Sequence, residues 1–441
     1  MKGLPTWFVP LWCTVMPLTS LLIIPSLQGT IPAYVLAFVS AFFVIVGRDE
    51  GQPNVQRSRY FITALILAGI WLLLLCGSQL GHLLSNRHDF GDMFLINSDD
   101  TRVVLRSALF TQSLYLAACV CIALFFGFFF REEWMRYVFW GAWFLAIYGI
   151  YEWTFYLVFQ QPGDFIVNRS YGDGLHTASW SQAFQLGPFN LLRIKSTFGE
   201  PSWFSAGVIP YLFLALEYKR RWLSTALLFC LVLSASTSAY TALPFSLILY
   251  SFFRRKLSGS IIFTVLLFGA ALIALYFIYP ETFYQMFSAK MGGENNSGQS
   301  RQDSGAAMTE TAATFTLMER IFGIGFGYYY GGVYFAVLVN TGWIGMLLYF
   351  YTFLKPVILL KSEEKSLALK VGIAALLFLF YVSVSELFLP TTWMFLGLAY
   401  RRLDQQRRES KTAGLRSIGS PDRLLEMGGR EAAGATNRGG F

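Results

Sequence analysis

The sequence predicts an all-α, polytopic integral membrane helical bundle, and three observations carry that expectation. Of 441 residues, 55% are hydrophobic, 18% aromatic and only 14% charged, against about 25% charged in a soluble domain. Apolar runs close to the length that crosses a hydrocarbon core recur along the chain. The lysines and arginines gather in the connections after every second run, as they do where basic residues stay on one side of a membrane.

Taken in order, the runs are 7–24, 30–47, 60–80, 107–130, 137–159, 203–217, 222–235, 238–253, 259–279, 332–354, 369–388 and 389–400. That makes about 12 spans, with 11 the other possibility. Lys2 before the first run resembles a signal sequence, but no small-x-small site follows, so an uncleaved first span is expected. Residues 222–253 are too long for one helix and have a polar middle, Ser234 to Ser238, which predicts a hairpin. Residues 371–400 are interrupted by Glu386 and Pro390 and read as a second hairpin or a kinked re-entry. Basic clusters at Arg57 and Arg59, at Arg131 and Arg136, at Lys219 to Arg221 and at Lys355 to Lys370 place those connections in the cytoplasm, with both termini. The 81–106 connection is the exception. It carries Arg87, Arg102 and Arg106 on the side predicted to be outside, with four aspartates beside them.

Residues 1–400 thus read as one membrane-embedded domain with long outer-face loops at 160–202 and 280–331. Loops of that length are functional or disordered more often than not. The second begins rich in Gly, Asn and Ser and becomes helix-like from about Ser304. Residues 401–441, rich in Gly and Ala without apolar periodicity, are expected to be a disordered basic cytoplasmic tail.

Composition excludes several functions. The net charge of +8 is explained by clusters between spans, so no nucleic-acid partner is implied. There is no P-loop, and the three histidines and five cysteines form no set with ligand spacing, so neither a metal nor another cofactor is expected. The cysteines lie in apolar runs and read as packing residues.

What remains is a set of arginines and carboxylates on the predicted outer face. The segment from Arg193 to Gly207 brings Arg193, Lys195 and Glu200 to the start of a span, with Gly199 for a tight backbone and Pro201 for the first helical turn. The planar guanidinium fork matches phosphate, so Arg193 and Arg301 are expected to converge on a diphosphate, with Arg320 beside them. Glu200 is the expected general base, or the carboxylate that orients an acceptor hydroxyl. It also reads as an ordinary helix-start acid or as a partner of Lys195. Asp303 and Glu310 are rival acids on the second loop. Trp203 and neighbouring aromatics suit sugar rings, although such residues serve more often in interface belts.

Three segments in this order resemble the O-antigen polymerase and ligase superfamily, integral-membrane transferases of bacterial surface polysaccharides. They are Arg193 to Gly207, similar to the family's Arg-x-x-x-x-Phe-Gly segment; Ser300-Arg301 followed by Arg320-Ile-Phe-Gly-Ile-Gly-Phe-Gly327; and Val339-Asn-Thr-Gly-Trp-Ile-Gly-Met346. Arg320 and Gly331 also keep an Arg-x10-Gly spacing. The resemblance covers roughly residues 190–350. It implies a metal-independent glycosyltransferase that moves a growing glycan from undecaprenyl diphosphate to a lipid-linked repeat unit at the outer leaflet of the bacterial inner membrane. It implies partners in membrane lipid, a chain-length regulator and a flippase. Arg193, Arg301 and Glu200 would then be catalytic, and Lys195, Arg320, Glu310 and Trp203 substrate-binding. A ligase-type glycan transferase and a transporter or flippase for lipid-linked saccharide are the alternatives. The chain departs from ligases in having no histidine beyond His176, and Thr237 stands where relatives often carry an arginine.

Overall fold

The computed structural model describes residues 4–418 apart from 26, 48–54, 171–181, 187, 256–265, 267–268, 271–272, 275, 290–291, 293 and 295. Helices α1 (Phe8–Val15), α2 (Pro32–Val46), α3 (Val55–Ser85), α4 (Ser107–Phe129) and α5 (Met135–Phe159) precede a small hairpin. In it β1 (Ala183–Leu186) pairs antiparallel with β2 (Phe189–Leu192), Ala183 opposite Leu192. Helices α6 (Pro201–Glu217), α7 (Arg221–Leu233) and α8 (Thr237–Arg254) follow. After a short turn at Pro280–Phe283 come α9 (Asn296–Ala313), α10 (Leu317–Phe322), α11 (Val333–Leu359), α12 (Glu364–Val382) and α13 (Pro390–Ile418).

Among the described residues, five helical segments are long and apolar enough to cross a membrane: α3, α4, Glu132–Phe159 around α5, α11, and Lys365–Val382 within α12. Large apolar side chains remain on the outside of the bundle, such as Leu84 at 76% and Trp222 at 83% exposure. In water such a surface is costly. Against lipid tails it is the expected solvation. The molecule is therefore an all-α membrane protein.

Helix α6 is its axis, since every residue in it except Leu216 is buried. It packs against α12, α7, α8, α5 and α13. Gly207 makes one of these contacts close, because a Cβ there would lie 2.2 Å from the ring of Phe198. The polar break at Ser234 to Ser236 separates α7 from α8, and the turn holding Glu386 separates α12 from α13, as expected of two hairpins.

Three expectations change. The 7–24 run is not one span, because α1 ends at Val15. Pro17 has no amide hydrogen to continue the helix. The chain beyond is instead tied to distant loops, through Ser20 N to the Thr197 carbonyl at 3.0 Å and Leu22 N to Asn168 Oδ1 at 2.6 Å. The tail is helical as far as Ile418, and residues 419–441 lie outside the described residues. Leu403 and Gln406 are buried, Gln406 Nε2 donates to Ser366 Oγ at 2.9 Å, and Arg402 Nε donates to the same hydroxyl at 3.0 Å. The third change concerns the count of twelve, of which these helices reproduce only part, and the 259–279 run lies largely outside the described residues.

The three unexpected arginines of the 81–106 connection are structural. Arg87 Nε lies 2.6 Å from Glu319 Oε1. Arg102 grips both oxygens of Asp100 at 2.8 Å, while the Ser107 amide at the start of α4 donates to the same carboxylate at 2.7 Å. These bonds hold Asp100 well below the usual carboxylate range, with the Arg102 contact the largest cause. Buried Arg106 donates to the carbonyls of Asn97 at 2.8 Å and Arg102 at 3.1 Å.

Candidate functional site

The segment from Arg193 to Gly199 does not stand at a solvent-filled mouth. It dips into the bundle, with Ile194 through Thr197 all but closed to solvent. Ser196 takes a left-handed φ of +52°, donates its amide to Glu152 Oε2 at 2.9 Å and donates its hydroxyl to the Leu145 carbonyl at 2.9 Å. Lys195 follows it inside. Its Nζ lies 2.9 Å from Glu152 Oε1 and 3.0 Å from Asp164 Oδ2, with the lysine side chain fully buried. Glu152, a carboxylate deep in an apolar helix and expensive there unless paired, is thus paired. Buried between two carboxylates, Lys195 belongs to an internal ion-pair set and is not among the residues lining the trough described next.

A trough of about 1880 Å³ runs along the bundle between α3 and α4 on one side and α11 and α13 on the other. Its middle is apolar, lined by residues such as Leu67, Trp71, Leu116, Val120, Val337 and Leu348. One end is polar and is lined by Arg169, Glu200, Trp203, Tyr330 and Glu386. The opposite end is lined by Lys355, Tyr400, Asp404 and Arg407. Along α11 the lining runs from Val333 to Lys355, about 33 Å at 1.5 Å per residue, comparable to a hydrocarbon core. The trough exceeds the roughly 300–1,000 Å³ of sites for drug-sized ligands.

Glu200 and Trp203 of the expected site line this end. Glu200 sits at the N-cap of α6, where its Oε2 accepts from Ser202 Oγ at 2.8 Å. Arg193 lies behind it. It donates through Nε to the Ser234 carbonyl at 3.2 Å, contacts the Gln182 side-chain oxygen and feels the Glu200 charge. Burial pushes its guanidinium down to about 10, opposed by Glu200 and Tyr240. Arg320 and Glu310 are exposed and are not among the residues lining the trough; Arg320 Nε donates to the Phe315 carbonyl at 3.1 Å. Arg320 is thus a helix-side partner of its own loop. Arg301 lies on α9, with its side chain, like that of Asp303, outside the described residues.

Sequence reading passed over Arg169 and the role of Glu386. Arg169 reaches the trough from the 160–202 loop, donating through Nη1 to the Thr19 carbonyl at 3.1 Å and through Nε to Gln28 Oε1 at 3.3 Å. Glu386 Oε1 accepts from the Phe388 amide at 2.9 Å. Burial pushes its carboxyl up, and the Arg169 charge opposes that shift. The signal available in sequence was only that Glu386 interrupts an apolar run. Pairing it with Arg169, more than two hundred positions earlier, requires the fold.

The other two resemblance segments meet each other rather than the trough alone. Gly342 has φ +62° and ψ −164°, which kinks α11. The kink frees the carbonyls of Val339 and Asn340, which accept from Ile324 N at 2.9 Å and Gly325 N at 3.3 Å. The Asn340 side chain bonds both the amide and the carbonyl of Tyr329, at 2.7 and 2.9 Å. Glu319 locks the base of this loop. It takes the Arg87 contact and accepts from the Thr316 amide at 2.8 Å, with His82 Nδ1 3.2 Å away.

No protein-family model, curated protein or solved structure matches the chain.

Proposed function

We propose that this protein is a polysaccharide polymerase, a metal-independent glycosyltransferase using a lipid diphosphate-linked donor. The observation that carries this reading is the trough, apolar along a bilayer's thickness and capped at one end by Arg169, Glu200, Trp203 and Glu386. A polyprenyl chain, undecaprenyl in the family the chain resembles, lies in the apolar part. Its diphosphate and sugars lie at the Glu200 end, which this reading assigns to the outer leaflet of a bacterial inner membrane, with both termini cytoplasmic.

In the proposed reaction the acceptor hydroxyl attacks the donor's anomeric carbon. The bond from that carbon to the phosphate oxygen breaks, and the lipid diphosphate leaves with the electron pair. Glu200 accepts or orients the hydroxyl proton. Arg169 faces the departing diphosphate, and Arg193 supports Glu200 from behind. Arg301 stays in the proposal as a second-loop cation. Chain-length regulator and flippase partners belong to the same reading.

The test uses the purified protein in vesicles with lipid-linked repeat units. Polymer forms with wild type. Arg169→Ala and Glu200→Gln lower it at least 100-fold at unchanged protein level, while Glu200→Gln still binds the lipid-linked substrate. Near-wild-type activity in Glu200→Gln with loss in Glu310→Gln moves the base to the second loop.

The length of the trough favours a second reading, a flippase for lipid-linked saccharide, because both of its ends are polar. Transfer of lipid-linked repeat units across the vesicle without polymer would select it. A ligase-type transferase lacks such support, and His176, the last histidine of the chain, lies outside the described residues.

A further inference from the structure

We infer that the end of the trough opposite Glu200 is a binding site for the phosphate headgroup of an anionic lipid whose chain lies in the apolar channel. This inference does not rest on the transferase reading.

The first support is charge. Lys355 and Arg407 both line that end, and neither is in an ion pair among the described residues. The one acid lining it, Asp404, is already taken by Arg408 at 2.7 Å and approached by Arg59 at 3.8 Å. The mouth therefore presents cationic charge that its own carboxylate does not consume.

The second support is donor geometry. Lys355 Nζ lies 2.5 Å from Tyr351 Oη, and 4.5 and 5.9 Å from the ring centroids of Tyr351 and Tyr400. A lysine that donates to a phenol oxygen leaves the phenol's own O–H free to donate onward. Lys355, Tyr351 and Arg407 then offer donors of the kind a phosphate's oxygens accept.

The third support is continuity. The same cavity is lined by Leu348, Val120 and Leu116 beyond this mouth. A soluble anion has no use for that apolar wall. A phospholipid uses both parts, headgroup at the cations and chain along the trough.

The test is a native mass-spectrometric titration of the full chain in detergent with lysophosphatidate. Lysophosphatidylcholine, glycerol 3-phosphate and inorganic phosphate are run beside it. Lysophosphatidate is expected to bind at least tenfold more tightly than each of the other three. Lys355→Gln with Arg407→Gln is expected to lose at least tenfold in lysophosphatidate affinity at unchanged melting temperature, and Lys355→Arg with Arg407→Lys to keep it. Arg220→Gln with Arg221→Gln removes equal charge from a connection that does not line the trough and is expected to change nothing. Equal loss in that pair makes the effect general surface charge and overturns the inference. So does equal binding of inorganic phosphate, which would identify a free-anion site. Unchanged affinity in the Lys355/Arg407 pair also overturns it. Should that pair melt early, the arginine-for-lysine exchange compared with wild type in competition against lysophosphatidylcholine decides: loss of the preference for the anionic lysophosphatidate headgroup there sinks the claim.

Discussion

Lys195 and Glu319 show how differently charge behaves at single positions in this bundle. Lys195 is paired with both Glu152 and Asp164 inside the protein. Removing one member of a buried ionic set leaves its partners uncompensated, at a cost of roughly 3–5 kcal/mol. Lys195→Met should therefore fail to accumulate in the membrane, and Glu152→Gln in the same chain should partly restore it. A full protein level in Lys195→Met, with activity alone lost, would return the residue to the substrate site.

Glu319 is a carboxylate that burial would raise. The bonds from His82, the Thr316 amide and Arg87 outweigh that and hold it down to about 2. With its folded value depressed, the stabilisation is fully present above the unfolded value near 4.5 and is lost as pH falls towards 2. It amounts to on the order of 3 kcal/mol. The melting temperature should fall across that window in wild type. Glu319→Gln should melt lower at neutral pH and show a flatter acid limb; an unchanged acid limb would place the sensitivity elsewhere.

At the scale of elements, α11 depends on its kink. A residue with φ +62° and ψ −164° occupies a region open essentially to glycine alone. A Cβ on Gly342 would lie 2.3 Å from the Ile321 carbonyl oxygen, and one on Gly323 at φ +80° would lie 2.3 Å from Asn340. Gly342→Ala should destabilise by about 3 kcal/mol or more and release the 321–331 loop, because a straightened α11 withdraws the carbonyls that bind Ile324 and Gly325. Limited proteolysis reads this as new cleavage between Phe322 and Tyr330. A wild-type cleavage pattern would show that the loop holds itself. The segments that resemble a polymerase family are, in this element, a structural joint that shapes one wall of the trough.

For the whole molecule the arrangement to test is topological. The proposed reaction needs the 280–331 loop and the tail on opposite sides of the membrane. Reporter fusions at Gly298 and Arg408 should report outside and inside respectively. A cytoplasmic signal at Gly298 would remove the outer-leaflet reaction and leave the lipid trough without its proposed chemistry.

The sequence alone determined the all-α membrane class, the central place of the Arg193–Gly207 segment and both hairpin breaks. Apolar run length and polar interruptions are local properties, and the bilayer enforces them residue by residue. It also placed Glu200 and Trp203 at the start of a helix, since glycine and proline beside a helix entry are a local signal too. Tertiary structure decided which charges are spent on the fold. Lys195 and Arg87 read as available cations until distant partners are brought to them, with Glu319 more than two hundred residues from Arg87, whereas Arg102 and Arg106 are held within their own loop. It likewise decided that α1 stops at Val15, that α13 runs on to Ile418, and that Arg169 and Glu386 share one wall. A side chain's charge is written in its chemistry, but whether that charge remains free depends on what the fold places within a few ångströms of it.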